Sequence, residues 1–120
     1  MINYEDYSKV ERKIGEIKSA EKIEKSDKLL LLSVDFGLKQ SAPIDDSGEE
    51  RDIRTVVSGI AAYFEDPLVL VGVQCAFVTN LESRSLLGFE SQAMILGSKT
   101  SEGFALLKPT STVSPGSIVG

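Results

Sequence analysis

Apolar positions in this chain come in short runs closed by turn residues. Leu29 to Phe36 stops at Gly37, Ile53 to Val57 at Ser58-Gly59, and Val69 to Thr79 near Asn80. Ala93 to Leu96 stops at Gly97, and Phe104 to Leu107 at Pro109. Their lengths, valine content and glycine punctuation predict strands rather than helices. In the third run Val71, Val73, Cys75, Phe77 and Thr79 alternate with Gly72, Gln74, Ala76 and Val78. That is the period of a strand with one well-buried face, and it makes Cys75 an inert core thiol rather than a nucleophile. Lys9 to Lys25 reads differently: Ile14, Ile17, Ala20 and Ile23 recur every three residues among Glu and Lys, a helix-leaning pattern that Gly15 opposes. A short helix is predicted over about Ala61 to Glu65, stopped by Pro67. Roughly four to six short strands with one short helix predict a small barrel rather than a sandwich.

Composition narrows this picture. The chain has 120 residues, the size of a single domain spanning 1–120, with 42% hydrophobic and 26% charged residues. These values are those of a soluble globular domain and exclude disordered, collagenous and disulfide-scaffold classes. Histidine is absent, which removes Ser-His-Asp triads, Cys-His dyads and His-ligated metal sites. The single cysteine cannot close a disulfide within the chain, so a reducing, cytoplasmic setting is expected. The N-terminal Met1-Ile2-Asn3-Tyr4-Glu5-Asp6 is too acidic for a secretory leader. The most apolar stretch, Leu68 to Val78, is interrupted by Gly72 and Gln74 and is shorter than the ~20 residues a membrane helix needs. No membrane partner is expected.

The net charge is −5, from 13 basic and 18 acidic residues. Five of the acids lie in Asp45-Asp46-Ser47-Gly48-Glu49-Glu50-Arg51-Asp52, with Pro43 upstream, which reads as a solvated loop inserted at about 40–52. Its spacing does not match a calcium-binding loop, and no metal is expected. Catalytic signatures are missing as well. Val57-Ser58-Gly59 lacks the first glycine of a nucleophile elbow, and neither a phosphate loop nor a dinucleotide fingerprint occurs. A binding or assembly module with no catalytic residues and no cofactor is expected.

A longer set of motifs is recognisable. Asp27-Lys28-Leu29-Leu30 and Val34-Asp35-Phe36-Gly37 are followed by Thr55-Val56-Val57-Ser58-Gly59-Ile60, Asn80-Leu81 and Gly88-Phe89-Glu90-Ser91-Gln92-Ala93-Met94-Ile95-Leu96. Leu106-Leu107-Lys108-Pro109 and Val113-Ser114-Pro115-Gly116 complete the series. In this order they resemble the tRNA-binding domain family, found as the C-terminal appendage of many methionyl-tRNA synthetases, in free-standing tRNA-binding proteins and in endothelial monocyte-activating polypeptide. The resemblance implies an all-β fold, a five-stranded oligonucleotide-binding (OB) Greek-key barrel with one short helix and short additional C-terminal strands. It implies a homodimer, and it places a long bent first strand at Val10 to Ala20, against the helical reading.

The function implied is that of a non-catalytic tRNA-binding accessory protein, acting alone or beside an aminoacyl-tRNA synthetase. Carried over by motif position, the RNA-binding candidates are Lys28, Ser58, Asn80, Arg84, Ser91 and Gln92. Asn80 and Gln92 offer paired donors and acceptors to base edges, while Arg84 and Lys28 suit phosphate. Each has a plainer alternative: Ser58 as a helix cap, Asn80 as a turn residue, Glu90-Ser91-Gln92 as a loop stabiliser. The chain also departs from the family. The loop usually written Asn-Leu-Lys-Pro-x-Lys-Leu-Arg-Gly reads Asn80-Leu81-Glu82-Ser83-Arg84-Ser85-Leu86-Leu87-Gly88, and Leu30 replaces a frequent aromatic. The apolar Leu86-Leu87 pair suits a second reading, a peptide-binding dimer like the export-chaperone branch of the family. A third is a dimerisation module of a translation complex.

Overall fold

The first strand decides the architecture. In the computed structural model, which describes residues 1–39 and 50–120, a short helix α1 (Tyr4–Ser8) leads into β1 (Arg12–Lys22). One step of the every-third-residue pattern that suggests a helix, from Ile17 to Ala20, arises from a bulge; Ile14 is buried on the other face of the strand and Ile23 lies just past its end. Between Ile17 and Ser19 the register against the next strand shifts, so Ile17 and Ala20 both face the core although an unbroken strand would alternate them. The bend also lets β1 serve two partners, Arg12–Glu16 pairing with β4 (Gln74–Val78) and Glu16–Lys22 with β2 (Leu30–Leu38).

Gly15 is required at the same bend. A Cβ there would lie 2.5 Å from Val34, 2.7 Å from Phe36 and 2.9 Å from Phe77. The two phenyl rings already meet edge to face at 5.2 Å, so the glycine leaves space for the largest side chains of the core. Ile17, Leu30, Leu32, Val34, Val56, Cys75 and Phe77 are fully buried around them. Burial pushes the Cys75 thiol up to about 12, so it stays protonated and inert.

The sheet runs β3–β2–β1–β4–β7, with β3 (Arg51–Ser58) and β7 (Met94–Ile95) at its edges, and every pairing is antiparallel. Its curl brings the two edges together as an OB-like half-barrel, the expected architecture. Two hairpins stand outside it: β5 (Arg84–Leu86) with β6 (Phe89–Ser91), and β8 (Gly97–Thr100) with β9 (Gly103–Leu106). The C-terminal segment returns to β1, with Ile14 and Val119 donating backbone bonds to Ser117 and Arg12 carbonyls at 2.8 and 2.9 Å. Gly37 and Gly116 permit that return, since a Cβ on either would collide with the backbone of the other's segment.

Three local expectations change. The Val69–Thr79 run is not one strand: Pro67–Leu70 forms a 3₁₀ turn capped by Asp66, Gly72 turns with φ +86°, and only Gln74–Val78 is extended. Val71 is consequently exposed, and Ala76 and Val78 are buried along with Cys75 and Phe77. The predicted helix at Ala61 is a single 3₁₀ turn, Ala61–Tyr63, without a side-chain cap, so Ser58 does not cap it. The helix is instead Tyr4–Ser8, started by a reciprocal Asn3–Asp6 capping box. The acidic insertion lies outside the described residues, except for Glu50 to Asp52.

Replacing Gly15 by Ala overpacks the contact between Phe36 and Phe77. The variant is expected to lose about 1–3 kcal/mol in urea unfolding, while Gly59→Ala, with nothing within 4 Å, stays close to wild type.

Candidate nucleic-acid interface

An edge strand leaves a row of backbone groups unpaired. On β3 they are met by the connection between β6 and β7. Gln92 donates its backbone N–H to the Thr55 carbonyl at 2.8 Å, and its Oε1 accepts the Thr55 N–H at 2.9 Å. Ser91 Oγ, buried, accepts the Val57 N–H at 3.0 Å. Side chains thus supply part of the closing ladder. Arg54 locks the same junction: it grips the Asp52 carboxylate through Nε and Nη2 at 3.1 and 3.0 Å and donates from Nη1 to the Thr79 carbonyl at 2.6 Å.

At the other end of the arm, Asn80 Oδ1 accepts the Glu11 N–H at 2.8 Å and Nδ2 donates to the Lys9 carbonyl at 2.6 Å. Thr79 Oγ1 donates to the Glu11 carboxylate at 2.6 Å. That bond, together with the Lys13 ammonium at 3.5 Å, holds the Glu11 carboxyl below its usual value against a smaller effect of burial.

Between these anchors the β5–β6 hairpin projects. Its turn, Leu87–Gly88, has φ +48° and +83°, the handedness that matches the twist of a tight hairpin. The hairpin borders two hollows. One, about 180 Å³, is lined by Ser58, Arg84 and Ser91 together with Leu81, Leu86 and Met94. The other, about 380 Å³, lies between the hairpin tip and the β1–β2 turn, where Lys22, Lys25 and Leu31 face Leu87 and Phe89. Lys28 is exposed in that turn, which is tied down by the Ala61 N–H donating to the Lys28 carbonyl at 3.1 Å.

The structure therefore gathers Ser58, Arg84 and Ser91 in one hollow and puts Lys28 on the neighbouring loop. Asn80 has both ends of its amide engaged in backbone bonds, and Gln92 keeps only Nε2 uncommitted among the described residues. Lys22, Lys25 and Phe89 join this rim without having been singled out as sequence candidates. Leu30, where the family often has an aromatic, is fully buried; the half-exposed ring at the rim is Phe89.

Charge follows the same geography. Lys13, Lys18, Lys39, Arg51 and Arg54 each pair with a carboxylate, and Arg12 lies 4.1 Å over the Tyr7 ring. Lys22, Lys25, Lys28 and Arg84 have no such partner among the described residues. Lys9, Lys99 and Lys108 are likewise unpaired among the described residues, and the turn and hairpin also carry Glu21, Glu24, Asp27, Glu82 and Glu90, so these loops present cations and carboxylates side by side.

The family model described as "Putative tRNA binding domain" matches residues 13–118. The chain belongs to the tRNA-binding domain family. The methionine–tRNA ligase of Helicobacter pylori is 42% identical over 118 residues, covering 98% of this chain and 16% of that protein. The ligase of Methanoregula boonei is 44% identical over 116 residues, covering 97% and 15%. The domain thus spans about one-sixth of the length of these curated relatives. Among solved structures, the MetRS related protein from Pyrococcus horikoshii superposes with a TM-score of 0.81 at 31% identity, covering 100% of this chain and 98% of that one. The CsaA chaperone protein from Picrophilus torridus gives 0.79 at 26% identity, with both chains fully covered. No helix among the described residues is long and apolar enough to cross a membrane.

Ser91→Ala leaves the buried Val57 N–H without its acceptor. It is expected to lower unfolding stability by about 1–3 kcal/mol, whereas Ser58→Ala changes it by under about 0.5 kcal/mol. Because Glu11 is lowered in the folded state, its contribution is complete above the ordinary carboxylate value of 4.5 and is lost as pH falls through the lowered one. In urea melts at decreasing pH, the stability difference between wild type and Glu11→Gln should shrink across that acid range.

Proposed function

We propose that this domain is a non-catalytic tRNA-binding module whose RNA-contacting surface is the rim made by the β1–β2 turn and the β5–β6 hairpin. The observation that carries this reading is that the β1–β2 turn, with Lys22, Lys25 and Lys28, meets the hairpin that carries Arg84 and Phe89, the four cations having no carboxylate partner among the described residues. Lys28 and Arg84 contact phosphate, Ser58 and the free Nε2 of Gln92 lend hydrogen bonds beside them, and Phe89 offers a ring. Ser91 and Asn80 act through backbone bonds that hold the hairpin arm in place. The identity to methionine–tRNA ligases supports a role beside a synthetase, and the single reduced, buried thiol supports a cytoplasmic setting.

A homodimer forms in this reading through the face carrying α1. The helix has no buried residue, Tyr4 and Ile118 are 81% and 80% exposed, and the buried Arg12 Nε lacks a hydrogen-bond partner among the described residues. Light scattering behind size exclusion is expected to give twice the chain mass, and Tyr4→Glu with Ile118→Glu to give a monomer.

With about three phosphates contacted, log affinity for tRNA should fall with log salt at a slope of about −2.7, roughly 40-fold between about 50 and 200 mM. Lys28→Ala and Arg84→Ala should each weaken binding and reduce the slope by about 1. Filter binding with unfractionated tRNA checks this. Unchanged affinity in both variants, or no binding tighter than about 100 μM at the lower salt, contradicts it.

A further inference from the structure

Leu87 breaks a local rule. The first position of this hairpin turn takes Asn, Asp or Gly without penalty, and a leucine at φ +48° is strained. Burial does not compensate, because Leu87 remains 53% exposed. Its side chain instead forms one wall of the groove beneath the hairpin tip, with Phe89, 38% exposed, and the half-buried Leu31. The groove is about 380 Å³, within the ~300–1,000 Å³ typical of small-ligand sites.

Its polar lining is mixed. Glu21 and Glu24 stand with Lys22 and Lys25, and none of the four is ion-paired within the described residues. A site for phosphate alone is poorly served by two carboxylates, which repel it. Carboxylates accept hydrogen bonds from exocyclic amino groups of bases, apolar and aromatic walls hold the flat face of a base, and ammonium groups meet the flanking phosphates.

We infer that the groove formed by Leu31, Leu87 and Phe89 seats one unstacked nucleobase bearing an amino group, its edge on Glu21 or Glu24 and its neighbouring phosphates on Lys22 and Lys25. This rests on the RNA-binding reading above and sharpens it: the rim reads an unpaired nucleotide, not only the charge of a folded RNA. Adenine, cytosine and guanine fit, whereas uracil lacks the amino group and leaves a carboxylate only its N3–H, flanked by carbonyl oxygens that the carboxylate repels, so it binds less tightly.

Fluorescence anisotropy of the full chain tests this with short labelled oligoadenylate, oligocytidylate and oligouridylate, and with unfractionated tRNA, all at low salt. Oligoadenylate and oligocytidylate should bind at least about five-fold more tightly than oligouridylate. Phe89→Ala should weaken both by at least about five-fold. Leu87→Asn supplies a residue suited to the turn, so it should melt at or above the wild-type temperature while losing the same binding. Glu21→Gln with Glu24→Gln should narrow the preference over oligouridylate. Wild-type binding of tRNA with equal affinity for the three oligonucleotides overturns this inference alone, as does unchanged binding in Phe89→Ala and Leu87→Asn. Failure to bind tRNA or any oligonucleotide overturns the RNA-binding reading with it, and capture of an apolar peptide in place of RNA does the same.

Discussion

The exposed edge of β3 is the constraint on which the rest of the structure depends. A curled sheet of five strands has two edges, and each unpaired N–H or carbonyl left between them is costly once removed from water. The chain meets this with Gln92 and Ser91, which complete the bonds of Thr55 and Val57 from outside the regular ladder. Arg54, spanning Asp52 and the Thr79 carbonyl, holds the same junction from the other side. Because the closing residues sit where β6 ends, the hairpin before them is fixed against the barrel rim. Closure and presentation of the hairpin are one event.

That coupling gives the electrostatics a location. A net charge of −5 argues against a nucleic-acid ligand only if it is spread evenly. Much of the basic charge is neutralised locally, on β1 by Glu11 and Glu16 and around β3 by Asp35 and Asp52. Among the described residues Lys22, Lys25, Lys28 and Arg84 have no carboxylate partner and lie on the turn and the hairpin, while Lys9, Lys99 and Lys108 are unpaired elsewhere. The rim differs in chemistry from the basic loop typical of the family, combining a few cations with Leu87, Phe89 and carboxylates. A surface of this kind draws less of its affinity from counterion release and more from contact with bases.

Strand positions were largely legible in the sequence because glycine and proline punctuate them, but two patterns misled for physical reasons. The three-residue spacing of Ile17 and Ala20 imitates a helix because a bulge adds one residue to a two-residue period, and Ile23 continues the pattern only by falling just past the strand's end. The alternation from Val71 to Thr79 continues through Gly72, yet the backbone turns there, and both faces of β4 are then covered. Motif position singled out Arg84 and Lys28, which lie on the β5–β6 hairpin and in the β1–β2 turn. It could not show that Asn80 spends its amide on Lys9 and Glu11, since those bonds join distant parts of the chain. Nor could it show that Lys22 and Lys25 face Phe89, because only the fold brings that turn and that hairpin together.

Backbone amide chemical shifts recorded during titration with tRNA report directly on which surface is used. The largest changes should fall on the β1–β2 turn from Lys22 to Lys28 and on the hairpin from Arg84 to Phe89, with the α1 face from Tyr4 to Ser8 unmoved. Changes centred on α1 and Ile118, with the turn and hairpin silent, would contradict the assignment of the rim as the RNA-contacting surface.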